Sequence, residues 1–466
     1  MTIDARVPTH ASLSNATPAQ DSRTSRKLTL WPLVAATFFM VSGGTYGTED
    51  IIGGAGYGPG ILILLLTPVL WSLPTALMIG ELATAMPHEG GYYAWVRRAM
   101  GDFWGFQEAW LSLAASIFDM AIYPTLFVLY LQRLFPWFGV GNRGVMVALG
   151  IVTICTLLNL AGIHVVGKTS MWLFVVLSAP FAIMTLLALA RVGAFEQATF
   201  APAGRDIGLL TGILICMWNY MGWDNASTIA AEVHEPQRTY SRAILAALAL
   251  VAISYIVPAG AIWLTGIPHT AFETGSWADL AGTIGGNWLR IALVAGGMIS
   301  AFGMFNALVM SYSRLPLAMA QDGLLPRAFS RTLSGTRAPW VSISVLAIAW
   351  AFCLGLGFER LITIDILLYG ASLTLEFVAL IVLRIKAPAL PRPYKVPGGL
   401  MGTIALAVPP VALLGLSIVA SHSETVFGIN GLLFGAMIAC AGVIAYAVKV
   451  ALHGTGWFVR ESEPVA

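Results

Sequence analysis

The sequence predicts an all-α membrane protein with about twelve transmembrane helices. Of its 466 residues, 58% are hydrophobic and only 10% are charged, against about 25% charged in an ordinary soluble domain. So few charges cannot cover a water-facing surface. Apolar runs long enough to cross a bilayer, which takes about 20 residues, recur along almost the whole chain with short connections between them.

The apolar runs form two sets of five spans and a final pair. The first set lies at 30–56, 60–86, 103–132, 145–162 and 169–190. The second set lies at 207–232, 240–265, 286–318, 338–357 and 361–384, and the final pair at 402–420 and 429–452. We therefore expect a disordered cytoplasmic tail at 1–27, a first repeat at 28–190, a second repeat at 207–384, a helix pair at 402–452 and a cytoplasmic tail at 453–466.

The distribution of basic residues predicts the orientation. Nineteen of the 25 Lys and Arg lie in the tails and the even-numbered loops, and six lie in the odd-numbered loops. Because basic residues accumulate on the cytoplasmic side of a membrane, both termini are predicted to be cytoplasmic. The expected location of this multi-pass protein is the cell inner membrane.

The net charge and the positions of the cysteines indicate which kinds of partner and ligand are not expected. The net charge is +2 and no block of five basic residues occurs, which argues against a nucleic-acid partner. Cys155, Cys216, Cys353 and Cys440 all lie in apolar runs without a C-x-x-C pair, so they are expected to be small core residues rather than disulfide or metal positions. No cofactor and no metal is predicted.

Two spans are interrupted at mid-depth by glycine followed by acidic residues. The first break includes Gly43, Gly44 and Gly47 ahead of Glu49, and the second places Gly222 before Asp224. Each lies in the first span of its set of five, a position typical of inverted-repeat transporters that hold substrate near the bilayer midplane. A simple kink is the alternative, but acidic residues at membrane depth usually mark function.

The breaks offer two kinds of polar group. The N–H groups of residues 45–48, at the positive end of a resumed helix, suit a carboxylate. The carbonyls near Val41, Ser42, Asn219 and Tyr220 suit an ammonium group or a cation. Tyr46, Trp218, Tyr220 and Trp223 add aromatic faces for gating or cation-π contact. The predicted substrate-binding residues are Gly43, Gly44, Thr45, Tyr46, Gly47, Thr48, Glu49, Asp119, Asn219, Tyr220, Gly222, Trp223 and Asp224.

Acidic residues at depth can bind an amine or carry a coupling proton, because burial favours the protonated carboxyl. The candidates for proton coupling are Asp50, Asp119, Lys168 and Asp224, although Lys168 is also explained as an inside-facing anchor. Glu81 and Glu232, nearer the ends of their spans, are expected to cap helices or join gate networks. The excess of acidic groups favours a diamine or a basic amino acid over a neutral one.

Several segments resemble the amino acid, polyamine and organocation transporter superfamily. The segments that carry this likeness are Gly80–Pro87 with Glu89–Trp95, and Trp223–Val233 with Pro236. Others are similar to plant-type polyamine uptake transporters: Ser42–Gly44 through Glu49–Asp50, Phe103–Gln107, Asp119 with Tyr123–Pro124, Gly303–Phe305, and Leu383–Lys386 with Arg392–Tyr394. The resemblance implies a LeuT-type fold, in which spans 1–5 and 6–10 are inverted repeats, and proton-coupled uptake. Plant-type relatives have a non-basic residue at Lys168, which leaves its role open.

The sequence thus predicts a proton-coupled symporter that imports an amino acid or polyamine. Its partners would be that small molecule, protons and the lipid bilayer. Exchange of an amino acid for an amine is the main alternative, followed by a non-transporting nutrient sensor on the same fold. The chain has no HExxH, G-x-S-x-G or Cys/His metal cluster, so no enzyme activity is expected.

Overall fold

The computed structural model describes residues 29–86, 91–162, 168–192, 206–225, 236–422 and 424–453. The helices of the first set of spans are α1 (Leu30–Val41), α2 (Glu49–Ala55), α3 (Tyr57–Thr67), α4 (Leu73–Ala85), α5 (Gly91–Met100), α6 (Asp102–Leu134), α7 (Arg143–Leu160) and α8 (Lys168–Leu189). The later helices are α9 (Asp206–Asn219), α10 (Pro236–Trp263), α11 (Trp277–Gly285), α12 (Asn287–Gln321), α13 (Trp340–Cys353), α14 (Phe358–Lys386), α15 (Gly399–Ala420) and α16 (Gly431–His453). The strands in the described ranges are two residues long each and form one antiparallel hairpin, β1 (Thr425–Val426) and β2 (Ile429–Asn430).

The helices confirm an all-α membrane protein. Nine helices in the described residues are long and apolar enough to cross a bilayer, and three further apolar helices are shorter, Leu30–Val41, Gly208–Asn219 and Trp340–Cys353. In chain order these helices fall on the twelve predicted spans. Helices dominate because the hydrocarbon core supplies no water to bind exposed N–H and C=O groups.

Two of the short helices end at the predicted breaks. Helix α1 ends at Val41, and helical structure resumes at Glu49. Helix α9 ends at Asn219, and no α-helix follows within the described residues up to Asn225. Gly43 (φ +59°) and Gly222 (φ +87°) adopt left-handed conformations that favour glycine at each break. The rest of the predicted sixth span, 226–232, lies outside the described residues.

The contacts between helices recur when every span of one set of five is exchanged for its counterpart in the other set. Helix α1 packs on α8, and the corresponding α9 packs on α14. Helix α6 packs on α14 and on α13, while its counterpart α12 packs on α8 and on α7. A repeat of five spans, an odd number, starts on the opposite side of the membrane in its second copy. The packing therefore agrees with the 5+5 inverted repeat.

One sequence expectation about the core is wrong. Cys155, Cys216 and Cys353 are buried, but Cys440 is exposed. Cys440 lies on α16, where half of the residues at 431–452 are exposed, all of them apolar. The hydrophobicity of a membrane helix does not separate a face that packs on protein from one that packs on lipid, so the sequence could not place Cys440.

Glu81 joins helix α4 to the segment after α14. Its side chain is fully buried and accepts hydrogen bonds from Arg384 (Nε to Oε1, 2.7 Å; Nη2 to Oε2, 2.5 Å) and from the N–H of Val396 (2.7 Å). The Nε of Arg392 lies 3.1 Å from Oε1. This network agrees with the structural role expected for Glu81. Glu232, for which the same role is expected, lies outside the described residues.

We expect Glu81→Ala to destabilise the protein strongly, because it leaves two buried guanidinium groups without their carboxylate. Removing one partner of a buried pair costs about 3–5 kcal/mol. Denaturant unfolding in detergent measures the loss. The control is Glu273→Ala, which removes a carboxylate that is 70% exposed in its pair with Arg133 and should cost about 0–1 kcal/mol. Equal effects of the two substitutions would contradict this role for Glu81.

Candidate functional site

A small cavity lies between the two helix breaks. Its walls come from the end of α1, the end of α9 and the middle of α6 and α12. The lining residues are Met40, Val41, Ser42, Asp119, Tyr123, Trp218, Asn219, Met221, Gly222, Asn225, Met304 and Tyr312. Small-molecule sites have this mixture of apolar walls with a few polar groups. Of the predicted binding residues, Asp119, Asn219 and Gly222 therefore line one cavity.

Asp119 is the acidic side chain on the cavity wall. It is 2% exposed, and three aromatic residues donate hydrogen bonds to its carboxyl group. The indole N–H of Trp218 lies 3.1 Å and the hydroxyl of Tyr123 3.2 Å from Oδ1, and the hydroxyl of Tyr312 lies 2.9 Å from Oδ2. These three donors fix the orientation of the Asp119 carboxyl group beside the cavity.

The C-terminal end of α1 provides free acceptors on the same cavity. No hydrogen bond within the described part of the chain reaches the carbonyls of Met40, Val41 or Ser42. They lie at the negative end of the helix dipole, which attracts cations. The expected acceptors on the other break are already used. The carbonyl of Asn219 accepts from Tyr255 (2.9 Å), and that of Tyr220 accepts from Ser72 (2.9 Å) and from Trp223 (2.8 Å).

The predicted site residues at 45–48 are packed against protein. The hydroxyl of Thr45 donates to the carbonyl of Ser254 (2.8 Å), and that of Thr48 donates to the carbonyl of Thr45 (2.7 Å). The ring of Tyr46 packs edge-on against that of Tyr130, with centroids 5.1 Å apart. In the described structure the N–H groups of residues 45–48 have no acceptor, but these residues do not line the cavity.

Glu49 and Asp50 connect the first break to the segment that precedes α11. Glu49 accepts a hydrogen bond from the hydroxyl of Tyr130 and another from the N–H of Gly275 (3.0 Å). Asp50 accepts one from the hydroxyl of Thr274. Both carboxyls thus stabilise the junction of α2, α6 and this segment, and neither lines the cavity.

Asp224 lies behind the cavity. It is buried and accepts a hydrogen bond from the hydroxyl of Tyr369 (2.9 Å), while its neighbour Asn225 lines the cavity. Lys168 begins helix α8, but its side chain lies outside the described part of the structure. Asp224 can therefore affect the cavity only through neighbouring residues such as Asn225.

The sequence analysis missed three buried carboxyl groups: Glu108 on α6, and Asp365 and Glu376 on α14. Both oxygens of Asp365 and one oxygen each of Glu108 and Glu376 lack a partner among the described residues. All three interrupt apolar runs, as Asp119 does, so the signal that selects Asp119 could have found them.

Five buried carboxyls on α6, on α14 and at the second break have no cationic partner among the described residues. The ion pairs of the described residues involve other acidic groups. The five are Glu108, Asp119, Asp224, Asp365 and Glu376. Buried carboxyls without a counter-charge are stable only when they hold a proton or a bound cation.

The fold and the cavity define a multi-pass membrane transporter with a central site. The chain belongs to the amino acid permease family, whose model matches residues 34–451. The predicted superfamily is thereby confirmed, and the protein is a transporter rather than an enzyme.

Named relatives are plant and bacterial transporters. The chain is 35% identical over 409 residues to the polyamine transporter RMV1 of Arabidopsis thaliana, covering 86% of this chain and 81% of that one. It is 35% identical over 403 residues to the polyamine transporter PUT1 of rice, Oryza sativa subsp. japonica (85% and 74%). It is 26% identical over 341 residues to the serine/threonine exchanger SteT of Bacillus subtilis (70% and 75%).

Gly43 and Gly222 give a direct test of the breaks. A Cβ on Gly43 would lie 2.2 Å from the sulfur of Met304, and both positions have positive φ. We expect Gly43→Leu and Gly222→Leu to abolish transport while the protein still inserts, because the side chain fills the cavity region and strains the backbone. Uptake by purified variants in proteoliposomes measures this.

Gly260→Leu is the matched control for these variants. Gly260 lies within α10, where an added Cβ meets nothing within 4 Å, so uptake should persist. Normal uptake by Gly43→Leu and Gly222→Leu together would mean that the substrate binds elsewhere.

Proposed function

We propose that this transporter imports a cationic amine, a polyamine or a basic amino acid, into the cytoplasm in symport with protons. The membrane would be the cell inner membrane, with both termini cytoplasmic, as the distribution of Lys and Arg predicts. The observation that carries the proposal is Asp119, an oriented carboxylate on the wall of the cavity at the helix breaks.

The cavity offers two acceptors for an ammonium group. Asp119 lies on one wall, and Met40, Val41 and Ser42, whose carbonyls accept no hydrogen bond from the described residues, lie on another. Tyr123, Trp218 and Tyr312 add aromatic faces that suit a cation. Because Asp119 has no cationic partner in the described structure, a positively charged substrate is favoured over a neutral zwitterion. The names of the plant relatives point the same way.

A substrate carboxylate has a separate candidate position. The unused N–H groups of residues 45–48 lie at the start of the resumed helix, where the helix dipole is positive. These residues would have to reach the cavity in another conformation of the transport cycle. A basic amino acid would use them, whereas a polyamine would not.

Substrate charge is tested with Asp119→Asn. We expect competition by putrescine for the site to weaken roughly tenfold or more, because a hydrogen bond to a charged group contributes about 1.5–3 kcal/mol. Competition by alanine should change less. Competition for labelled substrate in one proteoliposome preparation measures both ligands.

The control for Asp119→Asn is Asp279→Asn. Asp279 pairs with Arg133 away from the cavity and is 41% exposed, so neither competition should change. Equal loss for putrescine and alanine in Asp119→Asn would instead assign Asp119 to folding or coupling. If alanine alone competes in the unmutated protein, the cationic substrate is wrong.

Coupling is tested by the driving force. Buried carboxyls that can take up protons support proton symport. We expect uptake into proteoliposomes to rise with an inward proton gradient and to need no ATP. With the membrane potential clamped, one pH unit can drive about tenfold accumulation at one proton per substrate. Undiminished uptake after the gradient is collapsed, without substrate inside, would remove proton symport.

Exchange is the second candidate, and the likeness to the exchanger SteT favours it. An exchanger would show uptake only when substrate is present inside the vesicles, whatever the proton gradient. A non-transporting sensor would bind ligand, and stabilise on binding, without accumulating it under either condition.

A further inference from the structure

Two pairs of acidic residues face each other across the contact between α6 and α14. The hydroxyls of Ser112 on α6 and Ser372 on α14 lie 2.7 Å apart, and Ser372 also donates to Glu108 (2.5 Å). This contact fixes the register of the two helices. Glu108 lies four residues before Ser112, and Glu376 four residues after Ser372. In an antiparallel pair these offsets bring Glu108 and Glu376 to the same level.

The same register brings a second pair together at the other end. Asp119 lies seven residues after Ser112, and Asp365 seven residues before Ser372. Each helix thus has two acidic residues eleven positions apart, about three turns, on one face and separated by roughly 16 Å. We name Asp119 and Asp365 the cavity pair, and Glu108 and Glu376 the inner pair.

The inner pair is buried and has no cationic partner among the described residues. Glu108 is fully buried and Glu376 is 1% exposed. Ser112 and Ser372 donate to one oxygen of Glu108, but its other oxygen and Oε2 of Glu376 have no partner in the described ranges. The two carboxyls act on each other electrostatically. Two carboxylates that face each other in a medium of low dielectric constant repel strongly, so at least one of the two holds a proton.

The titratable groups around the inner pair include no basic side chain among the described residues. Asp224 acts electrostatically on both Glu108 and Glu376. Tyr92 on α5 faces the pair and Asp224, and Tyr369 on α14 faces Glu376 while it donates to Asp224. Asp224 also interacts with Asp365 of the cavity pair. A continuous set of carboxyls therefore runs from the cavity to the inner pair.

We propose that Glu108 and Glu376 form the site that carries the coupling proton. The residues that line the cavity include Asp119 but neither member of the inner pair, so an organic ammonium has no room there, whereas a proton needs none. The inner pair also lies toward the end of the bundle with Arg97 and Arg384, the side that the charge distribution predicts to be cytoplasmic. This inference rests on the proposed proton symport.

The proton step balances simply. When the transporter opens inward, the O–H bond of the protonated member breaks, its proton passes to cytoplasmic water, and a carboxylate remains. A proton from the outside, relayed through the cavity pair and Asp224, then restores the O–H bond. One proton moves inward in each cycle, and no electron is transferred.

The test uses Glu108→Gln and Glu376→Gln in proteoliposomes with labelled putrescine and a clamped membrane potential. We expect both variants to lose accumulation driven by the pH gradient, which for the unmutated protein should approach about tenfold for each pH unit. Counterflow at equal pH should persist, because exchange returns the carrier without net proton release. Glu359→Gln, which removes an exposed carboxyl of the same helix α14, should retain both activities.

Three results would overturn the proposal. The first is gradient-driven accumulation by both Gln variants equal to that of the unmutated protein, in which case proton symport itself still stands. The second is loss of counterflow in variants that putrescine still stabilises against heat. The third is that spermine competes more weakly in the variants than in the unmutated protein, while competition by putrescine changes less and accumulation is intact. That result would make the inner pair an ammonium site.

A milder variant covers the case in which the Gln variants do not fold. The hydroxyl of Ser372 donates to Glu108 and so favours the charged form of that carboxyl. Ser372→Ala removes this donor. The carboxyl should then hold its proton to higher pH, and the midpoint of the pH profile of uptake should move upward, with counterflow unchanged. An unchanged midpoint would count against Glu108 as the proton carrier.

Discussion

Unwound backbone inside a bilayer is tolerated only where protein atoms or a cavity surround it, since lipid offers no hydrogen-bond partners. The two breaks satisfy this constraint in different ways. Around the first, hydroxyls of Thr45 and Thr48 and the packed ring of Tyr46 fill the space, and the free carbonyls of residues 40–42 lie on the cavity. Around the second, Tyr255, Ser72 and Trp223 occupy the carbonyls. The cavity lies where this compensation is incomplete among the described residues.

The same scarcity of partners governs the acidic residues. Glu81 is buried with two guanidinium groups and an N–H donor, and it stabilises the packing of α4 on the segment after α14. Asp119 is buried with three neutral donors and faces a cavity. Glu108, Asp365 and Glu376 are buried with fewer partners than their oxygens require. These environments differ in what a ligand would supply. Glu81 needs nothing further, Asp119 would take a cation, and Glu108, Asp365 and Glu376 would take a proton.

The antiparallel contact of α6 and α14 connects these environments. It sets a cavity pair and an inner pair of carboxyls about three turns apart, with Asp224 interacting with both. In the proposed symport, the charge of the substrate and that of the proton would act on one another through this set of carboxyls. Coupling of two ligands requires that each bias the same conformational equilibrium, and carboxyls on two packed helices are suited to do so.

The sequence by itself determined the membrane fold, the twelve spans and the two breaks. Apolar runs and glycine-acidic interruptions are local, and the bilayer makes them decisive because it allows few other structures. The sequence also singled out Asp119, since an acid in an apolar run is visible without a structure.

Only the tertiary structure decided which of the acidic residues meet. Glu49 and Asp50 looked equivalent to Asp119 but contact Tyr130 and Thr274 instead of the cavity. Glu108 and Glu376 are 268 positions apart, and nothing local in either helix shows that the other lies opposite. The exposed Cys440 has the same origin, because protein-facing and lipid-facing sides of a membrane helix are equally apolar. Pairing and facing depend on which helices pack and in what register, and that is a property of the folded bundle.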